Sequence, residues 1–294
     1  MRKYALSALV FAVAMAAGHA GAEEAATLTI NKDLHARLPK EIRDSGELLS
    51  VNNGSIPPWD IVSGDSVTGA SAELLEALGK VLGVRIKHQT VGGQPAIMVG
   101  LNSGRYQLAF GPIGDFKSRQ GANDFVDWVR EYVVFAVQKG NPKGIVSLES
   151  SCGHRISVMA GGSAEKVINQ QAEKCTAAGK PPIQVQSFND QPSSILAVRS
   201  NRSDAFFASQ GPITYFVEQA GGQLELSGVG KSNGFEDLYQ GSVLPKGSPL
   251  TSIVKDGLQI LHDNGTYGAI MKKWKVDGNM IEKVGINLGG EVQK

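Results

Sequence analysis

The stretch Gln107-Leu108-Ala109-Phe110-Gly111-Pro112-Ile113-Gly114-Asp115-Phe116-Lys117-Ser118-Arg119-Gln120 is a short apolar strand that breaks and restarts as a polar, helix-like run. Two glycines and a proline between Gly111 and Gly114 interrupt regular structure. Asp115 stands near the start of the polar run. A strand that stops in a Gly-rich bend before a helix exposes backbone N–H groups at a sheet edge, where a small anion is held. Arg119 lies within reach of the same spot, and its planar fork grips a carboxylate with two parallel hydrogen bonds. The plainer alternative is an ordinary loop carrying a surface arginine.

Working outward, the ends of the chain set its compartment. Arg2 and Lys3 precede an apolar run from Ala5 to Ala17 and then Ala20-Gly21-Ala22. This is the pattern of a secretory signal peptide over residues 1–22, cleaved before Glu23. The run is too short to span a membrane, and no later segment supplies about eighteen apolar residues. No cysteine sits at the cleavage site to carry a lipid; the first is Cys152. A free periplasmic protein is expected. The 29 basic side chains, two of them in the leader, face 28 acidic ones. Near-neutral charge gives no electrostatic footprint for nucleic acid and no polybasic membrane patch. About 270 residues beyond the leader predict two lobes.

Cys152 and Cys175 are the only cysteines, and an exported compartment oxidises thiols. Cys152 precedes a strand, His154–Met159, and Cys175 ends a helix, Ser163–Lys174. A helix running back along its strand returns its end near the strand's start, so a disulfide is expected. Two cysteines without paired histidines do not make a zinc site. No metal and no cofactor are expected.

The order of elements reads as α/β. Leu34, Leu38 and Ile42 suggest one short amphipathic helix in a lead-in, despite Pro39. Leu48–Val51 is a strand, and a loop with Pro57-Pro58-Trp59 follows. Leu74, Leu75, Leu78, Val81 and Leu82 form a helical stripe stopped by Gly83. Val84–His88 is a strand, and Pro95–Leu101 a helix. Phe125–Val137 is one or two strands. Gly140-Asn141-Pro142-Lys143-Gly144 breaks the chain, and strands alternate with helices again to Leu226. Tyr239–Leu244 returns as a strand, and two amphipathic helices follow, the first opened by Ser248-Pro249. The predicted boundaries are 23–46 for the lead-in, 47–138 and 239–278 for lobe 1, 139–238 for lobe 2, and 279–294 for a loosely held tail.

Several of these segments resemble the family 3 extracellular solute-binding proteins, the polar amino-acid receptors of ABC importers. Leu38-Pro39-Lys40-Glu41-Ile42 with Gly46-Glu47-Leu48 resembles the lead-in of one subgroup. Pro57-Pro58-Trp59 resembles the family's A-P-F or P-P-F loop. Asp115-Phe116-Lys117-Ser118-Arg119 and Asp124-Phe125-Val126-Asp127 resemble D-T-K-E-R…D-F-V-D. Cys152-Gly153 through Gly161-Gly162-Ser163 to Cys175 resembles a cysteine-bearing subgroup. Asn264-Gly265-Thr266-Tyr267 with Lys272-Lys273-Trp274 resembles the closing D-G-T-Y…K-K-Y/W. The likeness covers nearly all of residues 38–276.

The resemblance implies the two-lobed type II periplasmic binding protein fold, with two crossing strands as a hinge and a ligand in the cleft between. It implies a monomer that closes on its ligand and delivers it to an ABC permease in the inner membrane. Arg119 then holds the ligand carboxylate, helped by backbone at Gly111 and Gly114. Gly161, Gly162 and Ser163 add N–H and hydroxyl donors from lobe 2. Three departures qualify this. The acid that usually pairs with the ligand α-ammonium falls on Ser209, beside Gln210 and Gly211. The small polar residues of the first-lobe strand end are Gly111, Pro112 and Gly114, and the aromatic before the P-P loop is Ile56. An ammonium buried without a charge partner costs several kcal/mol. Either the ligand lacks a free α-ammonium, or another acid replaces Ser209; Asp190, in a loop expected to face the cleft, is the candidate. Trp59 is expected to stack on an apolar or cationic part of the ligand, or else to cover the lobe 1 core.

The expected function is binding of a small carboxylate-bearing solute, an amino acid or a derivative. An enzyme on the same scaffold, such as a periplasmic dehydratase, needs a positioned acid or base. His35, His88, His154 and His262 show no paired spacing, and no H-E-x-x-H or P-loop is present. No catalytic residue is therefore assigned. A ligand-presenting partner of a membrane sensor is the third alternative.

Overall fold

The computed structural model describes residues 28–54, 56–235 and 238–290; the expected signal peptide lies outside them. Two short helices open the described chain, α1 (Lys32–Arg37) and α2 (Lys40–Ser45). The single lead-in helix expected from the apolar spacing is split at Pro39. That residue has no N–H to continue a helix, and it holds Leu38 in extended backbone at ψ 145°. The apolar stripe survives the break: Leu34, Leu38 and Ile42 are all buried in the same core.

Lobe 1 is a six-stranded mixed sheet. In chain order its elements are β1 (Glu47–Asn52), the hairpin β2 (Ile61–Ser63) and β3 (Ser66–Thr68), α3 (Ala70–Leu82), β4 (Arg85–Thr90), α4 (Gln94–Asn102), β5 (Leu108–Gly114), α5 (Lys117–Gln120) and β6 (Asn123–Glu131). The chain then enters lobe 2 with β7 (Val133–Gln138), β8 (Arg155–Met159), α6 (Ser163–Ala177), β9 (Gln184–Phe188), α7 (Gln191–Arg199), β10 (Ala205–Ser209), α8 (Gln210–Gln219) and β11 (Leu224–Ser227). It returns to lobe 1 through β12 (Leu238–Pro245), α9 (Leu250–Asp263), α10 (Thr266–Lys273) and β13 (Met280–Ile286). The sheet orders are β13-β6-β12-β5-β1-β4 and β11-β7-β10-β8-β9.

Side chains alternate across each sheet, and each face has its own core. In β5, Leu108 and Phe110 join α3, α9 and α10 on one face, while Ala109 and Ile113 join α4 on the other. In β7, Val133, Phe135 and Val137 meet Val167 and Ile168 of α6; Val134 and Ala136 meet Ile195 of α7 and Ile213 of α8. Cys152 and Cys175 are joined as expected, with Cα atoms 5.7 Å apart.

Three features differ from the sequence-based reading. The break expected between Gly111 and Gly114 is absent: β5 runs on to Gly114, and the irregularity falls in its pairing with β12, where the register shifts between Gly241 and Val243. Sheet membership changes at Tyr132, not at residue 138, because β7 pairs antiparallel with β10 and β11. A fully apolar run looks the same whichever sheet it joins. The second crossing is at Leu238, which pairs with Glu131 while its side chain packs in the lobe 2 core. The residues read as a loose tail contain a strand: β13 pairs antiparallel with β6, and Val284 is buried in the lobe 1 core. Beyond it, Leu288 N donates to Asp127 Oδ2 (2.9 Å) and Gly289 N to Asp115 Oδ2 (2.7 Å). The tail was misread because its anchors are carboxylates elsewhere in the chain.

Candidate functional site

The parallel strands of both lobes point their C-terminal ends at the space between the lobes, and helices start there. Four of these starts open onto it: α4 of lobe 1 at Gln94, and α6, α7 and α8 of lobe 2 at Gly162–Ser163, Gln191 and Ser209. Three of them, α4, α6 and α8, have no side-chain cap. At α8 the first N–H groups are nonetheless taken: Gln210 N donates to Tyr132 O (2.6 Å), and the Glu131 carboxylate draws on the N–H groups of Gln210 and Gly211. The starts of α4 and α6 carry partial positive charge toward the cleft. The space they enclose is about 50 Å³, so the lobes stand nearly closed.

Arg119 bridges the two lobes. Its Nη1–H donates to Gly114 O (3.0 Å) at the end of β5, and its Nη2–H donates to Gly161 O (3.1 Å) before α6. Its guanidinium lies 5.3 Å from the Phe116 ring centre. Burial lowers its pKa and nearby Asp115 opposes the shift; a guanidinium in this setting stays charged. Gln94 completes the contact: with its amide turned to suit its neighbours, the oxygen accepts from Arg119 Nη1 (3.0 Å) and the nitrogen donates to Gly161 O (3.3 Å). At Gly161 the lobes touch. Its φ is +70°, and a Cβ there would stand 2.8 Å from Pro95 Cγ of lobe 1.

Of the residues expected from sequence, Trp59, Gly114, Gly162, Ser163 and Ser209 line the cleft together. Gly161 and Arg119 form its inter-lobe latch. Gly111 sits back from the cavity, with φ +146° and a position for Cβ only 3.1 Å from the buried Asp60 Oδ2. Asp190 is used locally: its Oδ1 accepts from Ser193 N (2.7 Å) and caps α7. Trp59 is fully buried and packs edge-on against Trp128, ring centres 5.6 Å apart, so it belongs to the lobe 1 core as well as to the cleft wall.

Sequence reasoning missed four amide side chains in the wall: Asn53, Gln94, Gln191 and Gln240. A signal for two of them was present. Gln94-Pro95 and Gln191-Pro192 each open a helix with proline in its first turn, one in each lobe. It also missed Glu131, the last residue of β6, which is 2% exposed. Its Oε1 accepts from Tyr132 N (3.0 Å) and Asn279 Nδ2 (2.9 Å). Burial pushes its carboxyl up to about 7, against the opposing pull of these groups and of the N–H groups of Gly211 and Gln210. Among the described residues lining the cleft there is no carboxylate, histidine, lysine or cysteine.

Comparison with known proteins agrees with this geometry. The arginine-binding protein ArgT of Corynebacterium glutamicum is 24% identical over 261 residues, covering 87% of this chain and 83% of that one. Among solved structures, the amino acid ABC transporter substrate-binding protein AbpA of Streptococcus pneumoniae, bound to L-arginine, superposes with a TM-score of 0.71 at 18% identity over 81% of this chain and 99% of that one. The ancestral amino acid-binding protein AncCDT-1, a precursor of cyclohexadienyl dehydratase, superposes with a TM-score of 0.69 at 21% identity over 80% and 97%. The sequence model of one family matches residues 49–277, from β1 through α10 and so across both lobes. The chain belongs to the bacterial extracellular solute-binding proteins, family 3.

Proposed function

We propose that this protein is the periplasmic receptor of an ABC importer, and that its cleft takes a small carboxylate whose α-nitrogen is not a free ammonium. The observation that carries this reading is a cleft walled by the uncapped starts of α4 and α6 and by neutral amides, without an acid among the described lining residues, with Arg119 bridging the lobes at its edge. Each helix start favours an anion by roughly 0.3–1 kcal/mol, and more where water is excluded. An ammonium enclosed in the same field, without a carboxylate, costs several kcal/mol. The second quantity exceeds the first. Arginine, named for two relatives, carries an ammonium and a guanidinium that both need acids here. N-acyl amino acids, lactams such as pyroglutamate and 2-oxo acids present the carboxylate without that cost.

The carboxylate is received by Arg119 and the start of α6 when the lobes part and re-close, taking over guanidinium donors now directed at Gly161 O. Acid–base chemistry on this scaffold would need a titratable group in the cleft wall, which favours binding over turnover. Titration calorimetry against free amino acids, N-acetyl amino acids, pyroglutamate and 2-oxo acids tests the reading. Micromolar binding, about −8 kcal/mol, is expected only for the latter three classes. Tight binding of a free cationic amino acid, or conversion of any panel member, overturns it.

A further inference from the structure

Behind the crossing at Tyr132 lies a second cavity, about 440 Å³, walled by both lobes. The first turn of α8 divides it from the cleft: Ser209 and Pro212 face the cleft, while Gln210 and Gly211 face the rear cavity. The volume is in the range of sites for small organic molecules, and such sites favour boundaries between lobes.

Its wall has a definite chemistry. Tyr132 (46% exposed), Tyr215 and Trp274 supply aromatic surface. Among the described residues, two charged side chains in the wall have no ion partner and do not pair with each other: Glu218 on α8 of lobe 2 and Lys275 beyond α10 of lobe 1. Lys273, also in the wall, is matched by Glu73 Oε1 at 2.6 Å. One unmatched charge of each sign, on opposite lobes, with aromatic surface between them, complements a zwitterion with an apolar body.

We propose that the rear cavity is a second binding site for a small zwitterion with an aromatic or apolar side group. Lys275 takes its carboxylate, Glu218 takes its ammonium, and the three rings hold the body. The site is separate from the cleft and does not depend on what the cleft binds.

The test uses the exported chain labelled with 15N, whose three tryptophans give three indole N–H signals. L-Phenylalanine is the probe. The Trp274 signal, assigned with Trp274→Phe, is expected to shift saturably, and equally in Arg119→Ala, whose cleft is disabled. Glu218→Gln and Lys275→Gln, both in the wall of an open cavity, are each expected to raise Kd at least about tenfold. Phenylacetate and phenethylamine, each lacking one charge, are expected to bind weaker by a similar factor. No saturable shift up to about 10 mM, a shift lost in Arg119→Ala, or one indifferent to both charge substitutions overturns the proposal. Loss in Arg119→Ala would place phenylalanine in the cleft, and so count against the cleft reading as well.

Discussion

Arg119 donates to two carbonyls on different lobes, at 3.0 and 3.1 Å, and so ties the lobes together. Its removal leaves Gly114 O and Gly161 O able to meet water, so little folding stability is at stake. A ligand carboxylate in the cleft would lose its only cationic partner, which costs about 2–5 kcal/mol for a desolvated pair. Arg119→Ala is therefore expected to weaken ligand binding at least about thirtyfold with a melting temperature within about 2 °C of the parent. Arg119→Lys keeps the charge but cannot reach two acceptors with one planar fork, and it is expected to recover only part of the affinity by calorimetry. A second residue-scale effect concerns Asp127. Burial, with the Asp115 carboxylate beside it, pushes its carboxyl up to about 8, and Glu131 is pushed up to about 7. Both values lie above those of an unfolded chain, so the folded state holds more protons between about pH 4 and 8. The stability these two groups contribute is full below this window and is lost as pH rises through it. The melting temperature is expected to drop from pH 5.5 to pH 8.5. Asp127→Asn, which keeps an acceptor for Leu288 N and offers a permanent donor toward Asp115, is expected to flatten that slope. A melting temperature that rises with pH in the parent would contradict the assignment.

Elements defined by local pattern were legible in the sequence; elements defined by distant partners were not. The stripe of α3 and the Gly83 stop needed only a 3.6-residue period and a left-handed cap. The Ser163 helix start could be read from Gly161-Gly162-Ser163 alone. β7 could not be assigned to a lobe, because its apolar run suits either sheet. β13 could not be found, because its pattern is weak and its hold comes from Asp115, Asp124 and Asp127 across the lobe. The same logic hid Asn53 and Gln240 in the cleft: neither lies in a motif, and only the fold brings them to the wall. The disulfide was legible because strand and helix are adjacent in the chain. It closes a loop across a separation of 23 residues, worth about 3 kcal/mol in the chain-entropy view. Reduction, or Cys152→Ser with Cys175→Ser, is expected to lower unfolding free energy by about that amount in urea melts while leaving ligand affinity unchanged. The bridge lies at the end of lobe 2 away from the helix starts, so a change in affinity would reveal coupling through α6.

At the scale of the whole molecule, two sheets are joined by chain crossings at Tyr132 and at Leu238, and on the cleft side Arg119, Gln94 and Pro95 of lobe 1 meet Gly161 of lobe 2. Closure then depends on the fit of a small number of surfaces. Gly161 is the tightest of these, with Pro95 Cγ 2.8 Å and Pro95 Cδ 3.0 Å from where a Cβ would stand. Gly161→Ala should hold the lobes apart, but it also forces alanine into left-handed backbone, a cost of about 1–2 kcal/mol that has nothing to do with closure. Gly179 separates the two effects. It lies in the same lobe with the same φ of +70°, and nothing stands within 4 Å of its Cβ position. Both alanine variants are expected to lose similar stability. Only Gly161→Ala is expected to enlarge the radius of gyration in solution scattering and to weaken ligand binding about tenfold or more. The enlargement must appear without ligand, because the clash is between the lobes themselves. Equal scattering curves and equal affinities for the two variants would mean that the lobes close on some other surface.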